Sequence, residues 1–327
     1  MTPIEGISRR VLLMGAVLFG MLLPAGAQPP STIPRVGVLR LDARPEPIEE
    51  LREGLRQLGW VEGRTVVLEI RTASGRPERL PDLAADLVRR QVDVIVTHGP
   101  QGVHAARDAT RTIPIVMGRM DDADGHGFVA NFARPEGNVT GLSFQAGELA
   151  GKWLQLLREM LPRLDRVALL WDTTGTSNQL RTAQEAARAL GVAVRVVEVR
   201  GAQDLKGAIE IARRERVDAL VILGSALLSS EAERLAELTT GARIPAIYYH
   251  PRFTAAGGLL SYGPRGTEFS WRRAAVFVDR LLKGARPADL PVEQPTQFDL
   301  VVNAKTARRL GVTVPQSLLL QANEIIQ

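Results

Sequence analysis

Apolar positions along this chain fall into short blocks separated by stretches of helical spacing. RVGVLRL (Arg35–Leu41), TVVLEIRT (Thr65–Thr72), VDVIVTH (Val92–His98) and IPIVM (Ile113–Met117) are compact apolar runs. So are RVALLWD (Arg166–Asp172), VAVRVVEV (Val192–Val199), VDALVIL (Val217–Leu223) and IPAIYY (Ile244–Tyr249). Polar residues or glycines bound them, as expected of strands covered on both faces. Between them, Ile48, Leu51, Leu55 and Leu58 mark a helix over Glu46–Leu58, closed by Gly59. Leu80–Arg90, Gln101–Thr110, Gln145–Leu161, Asn178–Leu190, Gln203–Arg214 and Ser230–Thr240 continue the alternation, and Glu268–Lys283 is amphipathic through Trp271, Ala275, Val278, Leu281 and Leu282. Strands alternating with helices of this length predict βαβ units and parallel sheets with right-handed crossovers.

Two segments break the rhythm. GNVTGLSF (Gly137–Phe144) and GGLLSYG (Gly257–Gly263) are extended and glycine-bounded, and read as passages between two bodies. The tail reads as one strand and two short helices. A repeat supports two bodies: RRQVDVIVTHG followed by TIPIVMG matches RRERVDALVILG followed by RIPAIYYH. Leu58-Gly59 and Leu190-Gly191 keep nearly the same offset as Ile113-Pro114 and Ile244-Pro245. Two similar αβ units predict two similar Rossmann-like lobes, an α/β fold.

Composition narrows the function classes. The 327 residues suffice for two domains, and 45% apolar with 24% charged residues is a soluble globular balance. With no cysteine, thiolate chemistry, disulfides, cysteine metal sites and a lipobox anchor are all excluded. Ser8-Arg9-Arg10, the apolar run Val11–Leu23 and the small residues Ala25 and Ala27 read as a signal peptide, residues 1–27, cleaved before Gln28. The run is short against the roughly 20 residues needed to span a membrane. Export to the periplasm is expected, by either the general secretory or the twin-arginine route. The net charge of +5 is spread along the chain with few aromatic residues, which argues against a nucleic-acid partner.

Enzyme motifs are missing. No phosphate-cradling glycine loop follows the first strand, GLSFQ around Ser143 lacks the last glycine of a nucleophile elbow, and the four histidines are scattered. Asp121-Asp122-Ala123-Asp124-Gly125 has the wrong alternation for a calcium loop. Asn138-Val139-Thr140 matches a glycosylation sequon. Neither a metal nor a cofactor is expected.

What remains is a binding cleft at the carboxyl ends of the strands, where open α/β sheets hold ligands. Candidate contacts there are Asp42, His98, Gly99, Gln101, Asp121, Trp171, Thr173, Thr174, Ser177, Ser225 and Tyr248, with Tyr262 from the second extended passage. Glycines allow close backbone approach, hydroxyls and free helix N–H groups suit anions, and aromatic rings offer flat walls. Plainer roles stand beside these: packing or capping for His98, core packing for Trp171, helix capping for Thr174, Thr176 and Ser177, and solvation for Asp121 and Asp122.

The phrases IPRVGVL, QLGWVEGRTVVLE, RPEGNVTGLSF, AAGGLLSYG and QPTQFDLVVNAKTARRLG together resemble the ABC-transporter substrate-binding proteins of the tryptophan/tyrosine-uptake-like group, over nearly all of the mature chain. The resemblance implies a type I periplasmic-binding-protein architecture with three crossover segments. Lobe 1 would comprise residues 34–140 plus about 263–295, and lobe 2 residues 141–262 plus about 296–327. It also implies a non-catalytic, monomeric solute receptor. Such a receptor closes on a small polar or amphipathic ligand, by family default an aromatic or other amino acid, and delivers it to an ABC permease in the inner membrane. The departures lie at the strand ends: Thr97-His98-Gly99-Pro100-Gln101 stands in place of a TGGTPA-like turn, and Arg119-Met120-Asp121-Asp122 in place of a GDPV-like turn. An NPNNP-like turn is replaced by Asp172-Thr173-Thr174-Gly175-Thr176, and a DP-type turn is missing after Gly224. A receptor for a membrane signalling partner, an exported hydrolase built on Ser225 and His250, and a repressor-type effector domain are the competing readings.

Overall fold

A computed structural model describes residues 33–144, 149–175, 177–266 and 270–327. The expected signal segment, Thr176 and the starts of the helices expected from Gln145 and from Glu268 lie outside the described residues. The first sheet is formed by β1 (Arg35–Arg40), β2 (Val67–Thr72), β3 (Val94–His98), β4 (Ile115–Met120) and β5 (Val139–Ser143), in the order β2-β1-β3-β4-β5. All its pairings are parallel. Helices α1 (Glu46–Gln57), α2 (Leu80–Arg89) and α3 (Gly99–Ala109) connect the first four strands.

The apolarity of β1 and β3, in the middle of this sheet, follows from burial on both faces. Val36 and Val38 of β1, with Val94 and Val96 of β3, join one cluster with Leu51 and Leu55 of α1. Leu39 and Ile95, one residue out of step, join a second cluster with Leu80 and Leu87 of α2 and Val103 of α3. Successive side chains of a strand point to opposite faces, so a strand between two helical layers must be apolar throughout.

The second sheet runs β12-β11-β10-β9-β8-β6-β7. Its strands are β6 (Arg166–Asp172), β7 (Ala193–Val199), β8 (Ala219–Ile222), β9 (Ala246–Tyr248), β10 (Leu260–Pro264), β11 (Phe298–Asn303) and β12 (Glu324–Ile326). Among the described residues only the β10–β11 pair is antiparallel. Helices α4 (Ala150–Met160), α5 (Ser177–Ala189), α6 (Leu205–Arg214), α7 (Ala226–Ser230), α8 (Ala232–Gly241) and α9 (Pro251–Ala255) intervene. The two-lobe α/β fold is therefore present, with parallel sheets in both lobes.

Both rhythm-breaking segments are strands: Gly137–Phe144 contains β5 at the edge of the first sheet, and Gly257–Gly263 leads into β10. The helix expected over Ser230–Thr240 is α8, and a short helix, α7, precedes it, its start capped by Ser225 Oγ accepting from Leu228 N–H (2.9 Å). After β10 the chain returns to the first lobe. Helix α10 (Trp271–Leu282) packs on α1, where a Cβ at Gly54 would stand 2.7 Å from the Cβ of Ala275. The Trp60 indole N–H donates to Asp279 Oδ1 (2.9 Å), fastening the same contact. Glu293 then bridges backbone to backbone with β5, through Ser143 N–H (3.0 Å) and its own N–H to Gly141 (2.9 Å). Helices α11 (Ala304–Leu310) and α12 (Gln316–Gln321) complete the tail. The sequon asparagine is structural: Asn138 is buried and its amide donates to Thr110 O (3.2 Å) and Ile113 O (2.8 Å).

Candidate functional site

Parallel order places the carboxyl ends of β3 and β4 opposite the segments that follow β8 and β9, and a cavity of about 170 Å3 lies between them. The first lobe lines it with Arg44, Glu46, Glu50, His98, Gly99, Arg119, Asp121 and Trp271. From the second lobe come Ser225, Ala226, Ser229, Tyr249, His250 and Arg252. The lobes touch around it. Gln101 Nε2 donates to Thr174 Oγ1 (2.6 Å), and Arg119 Nη1 lies 3.1 Å from His250 Nε2. Contacts of this length across the cleft define a closed arrangement.

Gly99 is where the lobes come closest. Its φ of +68° belongs to the left-handed region, which side chains other than glycine rarely adopt, and a Cβ there would stand 2.8 Å from the Cβ of Ala226. Gly99→Val is therefore expected to oppose closure and to weaken ligand binding on the order of tenfold or more, at about 1.4 kcal/mol per decade. Small-angle scattering with and without ligand checks this, and a variant that closes like the wild type would remove Gly99 from the closure contact.

Beneath the cavity lies a buried ion cluster. Arg40 is fully buried, pairs with Asp42, donates to Arg44 O (2.6 Å), and has its guanidinium 5.4 Å from the centre of the Trp271 ring. Arg44 Nη2 reaches the other oxygen of Asp42 at 2.8 Å. Burial by itself would raise the Asp42 pKa, but contact with His98 and with the two guanidiniums outweighs it and holds the carboxyl well below the usual range. Burial lowers the His98 pKa despite Asp42 at 3.6 Å. Trp271 spans this cluster and the cavity: its indole lies over Gly118 of β4, meets the His98 ring edge-on at 5.7 Å, and its backbone N–H donates to Glu50 Oε2 (3.1 Å).

The cavity carries both signs of charge at one strand end. Arg119 and Asp121 are two residues apart, and burial pushes the Asp121 carboxyl up to about 6, with Asp122 and Asp172 adding to the rise against Arg119. Burial also lowers the His250 pKa well below its ordinary value, with Arg119 and Arg44 adding to the effect. Tyr249 donates to Ser225 O (2.9 Å) and fixes the wall between them.

Of the residues expected from sequence, His98, Gly99, Asp121 and Ser225 line the cavity. Others lie elsewhere. Asp42 is turned inward and held by Arg40 and Arg44. Gln101 and Thr174 hold each other across the lobes, and Thr174 also donates to Asp172 Oδ1 (2.8 Å). Thr173 gives its N–H to Val199 O (3.0 Å), and Ser177 is exposed at the start of α5. Trp171 packs against the second-lobe core beside Gly175. Tyr248 is a core residue: it stacks on Phe253 (4.8 Å) and its hydroxyl meets Thr239 Oγ1 (2.7 Å). Tyr262 stacks on Phe298 (5.9 Å), with Lys152 over its ring at 6.0 Å, away from the cavity. Asp122 is buried and its Oδ1 accepts from Gly125 N–H (3.1 Å), which makes the aspartate-rich stretch a turn.

Sequence reasoning gave no cavity role to Arg44, Arg119, Ser229, Arg252 or Trp271, and it placed Tyr249 and His250 at a cleft-facing strand end without choosing either as a ligand contact. Strand parity could have favoured Tyr249 over Tyr248, because adjacent residues of a strand face opposite ways. Nothing local marks Trp271, whose helix reads as ordinary core. A Ser225–His250 hydrolytic pair is not assembled: Ser225 Oγ caps α7, and Arg252 N–H and Arg119 meet the two ring nitrogens of His250.

Comparison with known proteins agrees with this architecture. The chain is 21% identical over 283 residues to the tyrosine-binding protein of Clostridioides difficile, covering 85% of this chain and 81% of that one. Among solved structures, the ABC domain from Streptococcus pneumoniae in complex with L-Trp superposes with a TM-score of 0.83 at 22% identity, over 90% of this chain and 100% of that one. A ligand-free, open substrate-binding protein from Clostridium difficile gives 0.63 at 20% identity, with the same coverage. The family model for ABC transporter substrate binding proteins matches residues 36–326. The chain therefore belongs to the ABC transporter substrate binding protein family, whose members bind solutes and are not enzymes.

Proposed function

We propose that this protein, a monomer exported to the periplasm, captures an amino acid between its two lobes and delivers it to an ABC permease in the inner membrane. The observation that carries this reading is the pairing of Arg119 and Asp121 at the end of β4, inside a cavity shared by both lobes. A zwitterion satisfies both charges at once, and closing the cleft removes the water that would screen them. Trp271 and Tyr249 supply flat walls for an apolar side chain. The relatives named for tyrosine and solved with L-Trp support the same ligand class. A cavity of about 170 Å3 is close to the roughly 150 Å3 that holds a benzene ring, so the ligand is of small amino-acid size. Closure by contacts to both lobes presents one shape to the permease when loaded.

Thermal-shift titration of the twenty amino acids tests this reading. A true ligand raises the melting temperature with increasing concentration. The pH dependence has a definite sign. Below about 6 Asp121 takes up a proton, so an ammonium group binds more weakly there, by up to about tenfold per pH unit, with a plateau above 6. No stabilisation by any amino acid at pH 7.5 sinks the proposal, and equal affinity at pH 5 and pH 7.5 removes Asp121 as the ammonium partner.

A further inference from the structure

His250 is approached by a hydrogen-bond donor at each ring nitrogen. Arg252 N–H lies 3.1 Å from Nδ1, and Arg119 Nη1 lies 3.1 Å from Nε2. A neutral imidazole accepts at one nitrogen and carries its hydrogen on the other, so it satisfies only one of these donors. The Arg252 contact lies two residues away on the same lobe and caps α9, so it persists whether the lobes are open or closed. Arg119 belongs to the other lobe and meets His250 only on closure. The lasting neighbour therefore claims Nδ1 as acceptor and sends the ring hydrogen to Nε2, where it faces the Arg119 guanidinium. Two donors from opposite lobes then converge on one point, inside the cavity that both residues line. An acceptor between them turns a donor-to-donor encounter into two hydrogen bonds, one of them charge-assisted.

We propose that Arg119 and His250 form a two-lobe clamp for a single oxyanion of the ligand, with the carboxylate of a small organic acid or amino acid as its chemical class. This rests on the reading of the chain as a receptor that closes on its solute. Arg119 supplies charge and His250 supplies direction, so the group is recognised only when the lobes meet. Among the other charged groups that line the cavity, Arg44 adds positive potential toward His250, Arg252 carries the same sign, and Glu46, Glu50 and Asp121 can carry the opposite one. Burial and the two guanidiniums lower the His250 pKa well below its ordinary value, which favours the neutral ring that the clamp uses.

The test uses the full mature protein labelled with 15N-histidine, the His250 ring being assigned by its loss in His250→Gln. Long-range proton–nitrogen spectra of the wild type are expected to show the hydrogen on Nε2. A ring protonated on Nδ1, with a bare Nε2 accepting from Arg119, overturns the clamp. Acetate and acetamide are then titrated as probes of the clamp alone. Saturable displacement of the Nε2 signal by acetate, and not by acetamide at equal concentration, supports it; equal response to both overturns it. Arg119→Gln is expected to weaken acetate binding on the order of 10- to 100-fold. If that variant fails to fold, the wild-type ring hydrogen and the probe pair still decide. Absence of any amino-acid ligand in the thermal screen defeats the functional reading separately, because acetate engages the clamp without an ammonium group.

Discussion

Asp42→Asn is expected to lower the free energy of unfolding by about 3–5 kcal/mol at neutral pH, the magnitude seen when one partner of a buried ion pair is removed. Arg40 is fully buried, and its guanidinium pairs with Asp42 and with one backbone carbonyl. An amide keeps the shape but removes the charge, leaving Arg40 buried without its counter-ion. The pH dependence follows from the same pairing. Folding lowers the Asp42 pKa, so its contribution is complete above the unfolded value near 3.8 and is lost as pH falls toward the lower folded value. Denaturant unfolding of wild type and variant at pH 7 gives the difference, and a loss below about 1 kcal/mol would show that Arg40 does not depend on this carboxylate. Binding should suffer too, since Asp42 also positions Arg44, which lines the cavity.

Trp271→Ala should be comparably damaging, for a different reason. The side chain is 4% exposed, and truncating a buried tryptophan costs about 3–5 kcal/mol through lost burial and the void left behind. The void would open between α10 and β4, since a Cβ at Gly118 would stand 3.0 Å from the indole. It would also remove the ring that covers Arg40, meets His98 and walls the cavity. Stability and affinity are thus expected to fall together, whereas Trp171→Ala, beside the second-lobe core, should leave affinity near the wild-type value. Isothermal titration with the ligand from the thermal screen separates the two tryptophans. Equal losses in affinity for both would move the cavity wall back toward Trp171.

Misplaced residues share a physical pattern. Tyr248 and Tyr262 are candidates from sequence because aromatic rings at strand ends offer flat walls, and Tyr262 also stands beside Gly263. Tyr248 instead completes a stack with Phe253 and a hydroxyl bond to Thr239, and Tyr262 lies on the antiparallel pair of β10 and β11. That antiparallel register is a long-range pairing without a local signal. Asp42 was correctly placed at a strand end, but which way it turns depends on two arginines, one of them buried beneath it. His98, Gly99, Asp121 and Ser225 were legible because they follow directly from strand direction: each lies at or just past the end of a parallel strand.

The amino-acid order alone determined the alternation of strands and helices, the doubling into two lobes and the strand edge along which the cavity lies. Those features depend on side-chain period and strand direction, which are properties of neighbours along the chain. Only the tertiary structure decided which side chains enter the cavity and which serve the scaffold. Trp271 reaches the cleft because α10 returns to the first lobe, and Arg119 meets His250 because two lobes close. Contacts between residues so far apart in sequence depend on packing, which no local pattern encodes.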